Sequence, residues 1–292
     1  MKRFWNRAGW FGMAVCALLT SLVLQIVMGI VAMLPAGFLA GMEAGMQGIT
    51  DIAEIEAMVM DKTMEMVPWG VFLYHILSLP VFALWYYFGC GRPKAKRLFR
   101  VLNVKCILIV LVVGFGLNLL ANGLAMIMQF LAPAIYAQYV ALMETAGMGE
   151  SLVTIIASVL LAPIGEELLC RGIIMHCGRR MTAGIGSRRT AFWLANIIQA
   201  LFFGIMHGNL IQGTYAFVLG LGLGLLCERY NSLYPVMLCH FVINALSLFV
   251  MGHLFSWVPE TLISAIIVTL VGAVISVMIL KLSYVKSDSQ SC

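Results

Sequence analysis

An all-α, polytopic membrane helical bundle of about eight transmembrane helices is the fold class this sequence predicts. Three observations carry that prediction. Of 292 residues, 62% are hydrophobic and only 11% are charged, where a soluble domain is about a quarter charged. The apolar residues come in runs that match the ~20 residues a helix needs to cross a bilayer core. The lysines and arginines between those runs fall almost entirely on one side of them.

Lys2, Arg3 and Arg7 precede a first apolar run over about 10–34. It is longer than the ~7–15 residues of a signal-peptide core, so it is expected to be retained as span 1. A hydrophilic loop is expected over 36–66, with Glu43, Asp51, Glu54, Glu56, Asp61 and Glu65 against Lys62 alone. The spacing of Ile52, Ile55 and Val59 would allow a short amphipathic helix within it. Span 2 is expected over 67–88, followed by the most basic stretch, Arg92 to Arg100, and span 3 over 106–131. Span 4 begins near Leu152 and runs toward Arg179 and Arg180; spans 5 to 8 are expected over about 190–207, 212–227, 233–251 and 259–282.

This order divides the chain into an N-terminal transmembrane region (1–149, spans 1–3), a core (150–250, spans 4–7) and a final helix with a short tail (251–292). With eight crossings, every Lys and Arg except Lys62 and Arg171 lies on one side. The positive-inside rule makes that side cytoplasmic, with both termini cytosolic, the 36–66 loop external and a multi-pass placement in the plasma membrane. The net charge of +5 is thus a topology signal, and no nucleic acid is expected as a partner; the bilayer is. The eight cysteines are scattered without a CxxC spacing and are expected to be free thiols. In span 6, Gly220 and Gly224 form a GxxxG pair expected to let a neighbouring helix approach closely.

The costly feature is the stretch from Ala162 to Gly172, which sets Glu166, Glu167 and Arg171 in an apolar run. Ionisable residues inside a membrane are rare and usually functional. On a helix, Glu167 and Arg171 stand at i,i+4 and pair, while Glu166 is turned about 100° from Glu167 and faces something else. Two later spans supply polar groups at the same spacing: Phe203 with His207, and His240 with Asn244. Such side chains must find partners inside a bundle. Glu can act as a general base on water. His and Asn can donate to a developing oxyanion. Glu and neutral His can also hold a divalent metal. No HExxH is present. His75, His176 and His253 are expected to serve helix packing, because no motif surrounds them.

The three motifs, Glu166-Glu167-x-x-x-Arg171, Phe203-x-x-x-His207 and His240-x-x-x-Asn244, resemble those of the CAAX-protease and bacteriocin-processing (Abi- and Rce1-like) family of intramembrane proteases. The resemblance spans about residues 150–250. It implies an endopeptidase acting on a peptide or protein, lipidated or not, with the site opening toward the cytosol. Carried over by position, Glu166 with His207 would activate water. His240 and Asn244 would form the oxyanion site, Glu167 and Arg171 would support it, and Phe203 would pack it. The resemblance leaves two options for a cofactor: one divalent metal such as zinc, held by Glu166, His207 and His240, or none. A membrane transporter, or a non-catalytic immunity or binding protein using the same buried cluster, is the alternative. The depths of the motifs differ along their helices: at ~1.5 Å per residue, His207 lies about 25 Å into span 5 but His240 about 12 Å into span 7. The helices must therefore tilt, or span 5 must start beyond the membrane surface near Arg188.

Overall fold

The computed structural model describes residues 2–90, 101–147 and 151–288, with side chains for 6–90, 101–147 and 151–281. The basic stretch 92–100 lies outside the described residues. Nine helices are present among those described. They are α1 (Lys2–Gln47), α2 (Ile52–Gly89), α3 (Val104–Leu131), α4 (Pro133–Thr145), α5 (Leu152–Thr182), α6 (Arg188–Ile205), α7 (Leu210–Tyr230), α8 (Tyr234–Phe255) and α9 (Leu262–Asp288). Seven of them are long and apolar enough to cross a membrane. The expected span 5 falls on α6, an 18-residue helix that begins at Arg188 and buries Asn196 and Gln199. Its start at Arg188 is one of the two ways the motif depths could be reconciled.

The expected 36–66 loop is instead a helical hairpin. α1 continues through Pro35 to Gln47, and α2 starts at Ile52 behind the side-chain cap of Asp51, which accepts from the Ala53 N–H at 3.1 Å. The reason lies in small residues. Ala32, Ala36, Ala40 and Ala44 recur every fourth position and are all buried. At Gly70 an added methyl would stand 3.1 Å from the Gly29 Cα, so the two backbones run close together. Lys62 bridges the hairpin to Glu43 at 3.5 Å. The chain reverses at Gly48, whose φ of 71° suits glycine. Glu43 thus lies in the last turns of α1, and Glu54, Glu56, Asp61 and Glu65 lie in the first half of α2.

Glycines also set the packing of the core. Gly116, Gly123 and Gly272 bring α3 against α9, and Gly114 meets Val242 of α8. Gly220 and Gly224 of α7 face α6, as the GxxxG spacing predicts. A methyl at Gly220 would stand 2.9 Å from the Ala200 Cα, and one at Gly224 would collide with the Asn196 amide. The bare α7 backbone is what the buried amides of α6 need: Gln199 donates to the Gly220 carbonyl at 2.8 Å and Asn196 to the Leu221 carbonyl at 3.1 Å. Gly224→Ala is expected to cost about 1–3 kcal/mol by overpacking. Gly41→Ala, where a methyl meets nothing within 4 Å, is expected to be neutral or stabilising. Thermal unfolding of the two purified variants checks the contrast.

α5 is not a uniform α-helix. Ile156–Leu161 and Leu168–Ile174 are wound as π-helix, and Ala162–Glu167 between them is α. α8 carries a third such stretch, Ser247–Met251, where Asn118 of α3 donates to Ser247 Oγ at 2.6 Å and to the Ile243 carbonyl at 2.9 Å. Widened turns of this kind concentrate at functional sites. Here two of them flank the Glu-Glu segment. The seven described cysteines are free.

Candidate active site

Glu167 is fully buried and sits at the centre of a chain of contacts. Arg171 Nη1 donates to its Oε1 at 2.8 Å, the i,i+4 pair expected from spacing. The same Oε1 lies 2.8 Å from Nδ1 of His240 on α8. Spacing along one helix had given Glu167 only Arg171 as a partner. A carboxylate already paired with a guanidinium only accepts, so Nδ1 of His240 is the donor. Nε2 is thereby turned toward Glu166, whose Oε2 stands 3.7 Å away. A buried carboxylate that fixes the tautomer and aim of an imidazole is a recurrent device of active sites.

Glu166 and Glu167 diverge as their helical offset requires. Glu166 lines a cavity of about 700 Å³, together with His207, His240, Asn244 and Phe203. The Glu167 side chain has no exposed surface and the Glu166 side chain is 13% exposed. Phe203 packs between the polar groups. Its ring stands edge-on to His207 at 5.0 Å and to His240 at 5.7 Å, and the Arg171 guanidinium lies 4.4 Å from its centroid. Arg171 completes its fork on the Gly220 carbonyl at 3.3 Å. The glycine that lets α6 approach α7 is therefore also a partner of the buried arginine.

His207 stands just past the end of α6, in the turn to α7. Its Nδ1 lies 2.7 Å from the Phe203 carbonyl and its N–H donates to the Gly204 carbonyl. Among the described residues no hydrogen bond joins His207 to Glu166, and both line the cavity. Asn244 donates to the Ser158 carbonyl, in the first π stretch of α5, at 2.8 Å. One of its two amide hydrogens is thus engaged and the other is left for the cavity. Cys170 and Cys239, the motif-adjacent thiols, are fully buried, and Cys170 contacts Met206 sulfur. Neither lines the cavity.

Sequence spacing missed several groups. His75 of α2 lines the same cavity, and its buried Nδ1 has no hydrogen-bond partner. Tyr74, Tyr139, Tyr215 and Gln212 also face it. His75 was legible as a polar residue in an apolar run, but no neighbour at helical spacing singled it out. His176, by contrast, does pack, edge-on to Trp10 at 5.6 Å.

A metal held by Glu166, His207 and His240 needs three donor atoms converging at ~2.0–2.2 Å on one point. Among the described residues no three His, Cys, Asp or Glu side chains are so placed. Nδ1 of His240 is held by Glu167 and Nδ1 of His207 by the Phe203 carbonyl, contacts that metal-binding imidazoles also make. The misfit with a metal therefore lies only in the three side chains not converging on one point.

The resemblance implies a site that opens toward the cytosol. The cavity lining takes Gln25 to Met33 in the second half of α1, Val67 to His75 about the middle of α2, and Tyr139 to Ala146 at the end of α4. Phe203 of the lining is buried, as are Glu167 and Arg171 beside it.

Comparison with curated proteins and with solved structures gave no match. Residues 148–246 match the family model of type II CAAX prenyl endopeptidase Rce1-like proteins. That segment begins just ahead of α5 and stops just past Asn244, so the similarity takes in all three motifs and reaches into four consecutive helices.

Proposed function

We propose that this protein is an intramembrane endopeptidase that hydrolyses a peptide bond with water activated by Glu166. The observation that supports it best is the aim of His240. Glu167 holds its Nδ1 at 2.8 Å, and Nε2 points at Glu166 on the wall of a cavity large enough for an extended peptide segment. A carboxylate with little exposure and, among the described residues, no hydrogen bond is available to take a proton.

The chemistry follows from these positions. A water between Glu166 and His207 gives a proton to Glu166 as its oxygen attacks the scissile carbonyl carbon. The carbonyl π-bond breaks onto oxygen. That oxyanion is met by the free amide hydrogen of Asn244 and by Nε2–H of His240 when the ring carries both protons. Glu166 then hands its proton to the departing amine as the C–N bond breaks, and returns to its starting state. Glu167 and Arg171 position His240, and Phe203 fills the space between the two imidazoles.

Cleavage of a defined peptide pool by the purified full-length protein, followed by mass spectrometry, tests this. Glu166→Ala and His207→Ala are expected to abolish the wild-type products. Equal cleavage by all three proteins would sink the assignment. Proton flux into liposomes that disappears in the same variants would favour a transporter instead. No metal-bound step is part of this scheme, so the cleavage rate is expected to stay unchanged after dialysis against a strong chelator; loss of activity restored by zinc would overturn that.

A further inference from the structure

We infer that the substrate reaches Glu166 from the membrane face opposite the basic loops, so that its class is an exported peptide or the extracytoplasmic segment of a membrane protein, and not a cytosolic tail. The word substrate rests on the protease proposal above; the direction of entry rests on geometry and charge alone.

The contacts fix which helix ends share the basic face. Arg7 of α1 donates to the Ala183 carbonyl after α5 at 3.1 Å. The Arg180 guanidinium lies 5.6 Å from the Trp10 ring centroid. Arg179 pairs with Glu228, near the end of α7, at 2.6 Å. Lys105 opens α3 and Lys281 lies late in α9. These ends form one face, and among the residues whose side chains are described it carries every basic residue except the buried Arg171 and the remote Lys62. Such a charge excess faces the cytoplasm.

On α1, α3, α5, α6 and α7 the cavity lining lies in the half farther from the basic face, and on α2 and α8 it straddles the middle. Its limits are Gln25 on α1, His75 on α2, Ala121 on α3, Glu166 on α5 and Leu219 on α7. The last turn of α6, which ends away from the basic loop before Arg188, and the late residues of α4 complete it. A second and smaller cavity, of about 210 Å³, does lie on the basic side, where Arg171, Gly172 and Arg179 line it. It belongs to a separate space. Between the two stands the Glu167–Arg171 pair, with no exposed side-chain surface on either member. At Gly172 the ring of Tyr86 leaves no room even for a methyl, which would stand 2.9 Å away. A peptide coming from the basic face would have to break the buried ion pair that holds the site together. One coming from the opposite face meets an existing cavity.

Cysteine labelling of the full chain in intact cells tests the direction. Ala125→Cys places a thiol on the cavity wall, and Ala183→Cys places one on the exposed loop of the basic face. With a membrane-impermeant maleimide, read against the wild-type background, Ala125→Cys is expected to label in intact cells. Ala183→Cys is expected to label only after permeabilisation. The reverse pattern, or labelling of both from outside, overturns the inference. A second arm adds the peptide pool to right-side-out and to inverted vesicles. Products only in right-side-out vesicles are expected, and products only in inverted ones overturn the inference. Products from neither, with the labelling pattern as expected, would count against the protease proposal and leave the direction standing.

Discussion

Glu166→Gln is expected to lower kcat/KM for peptide cleavage by about 10²–10⁴-fold, the range that a positioned acid–base group contributes, while leaving the fold intact. The substitution keeps shape and volume and removes only the ability to take and return a proton. Little else depends on the charge: among the described residues its ion-pair partner is His240 at 3.7 Å, and the side chain borders the cavity. The midpoint of thermal unfolding should therefore stay within a few degrees of wild type. Glu166→Asp separates proton chemistry from position. It keeps the carboxylate but withdraws it by one methylene, and an activity between those of wild type and the Gln variant is expected. A Glu166→Gln protein within threefold of wild-type kcat/KM would remove this residue from the base role. A large drop in unfolding midpoint would instead make it a structural group.

The membrane bundle was legible because apolar runs and basic-loop placement are local properties of the chain. The α1–α2 hairpin was not. Glu43, Glu54 and Asp61 look like loop residues to any hydropathy count, whereas the seam formed by Ala32, Ala36, Ala40 and Ala44 shows its purpose only once α2 lies against it. In the site, Glu166, Glu167, Arg171, His207, His240 and Asn244 announced themselves as polar groups in apolar helices. The link from Glu167 to His240 could not be read from either motif, since it joins residues on α5 and α8. The π stretches left no trace either, because Ile156–Leu161 has the composition of any buried α-helix. His75 shows the limit from the other side. Its chemistry was visible, but its face could be assigned only after α2 was packed.

Arg171→Met is expected to be the most damaging single change to stability, at about 3–5 kcal/mol, because it leaves a buried carboxylate without its cation. Glu167 has no exposed surface, and water cannot replace the guanidinium. Two further contacts go with it: the bond to the Gly220 carbonyl and the stack on Phe203. Arg171→Lys should restore only part of the loss, since an ammonium supplies charge without reaching Glu167 and Gly220 in one plane. The informative protein is the double variant Glu167→Leu with Arg171→Met. It removes both charges from the interior, and apolar replacement of a buried pair is often neutral or stabilising. Its unfolding midpoint should therefore recover most of what Arg171→Met loses. Activity should not recover, because His240 Nδ1 has then lost the carboxylate that aims Nε2 at Glu166. A double variant that is both stable and active would reduce Glu167 to a counter-ion for Arg171. One that is stable and inactive separates the two tasks of this carboxylate: it neutralises an arginine on its own helix and orients a histidine on another.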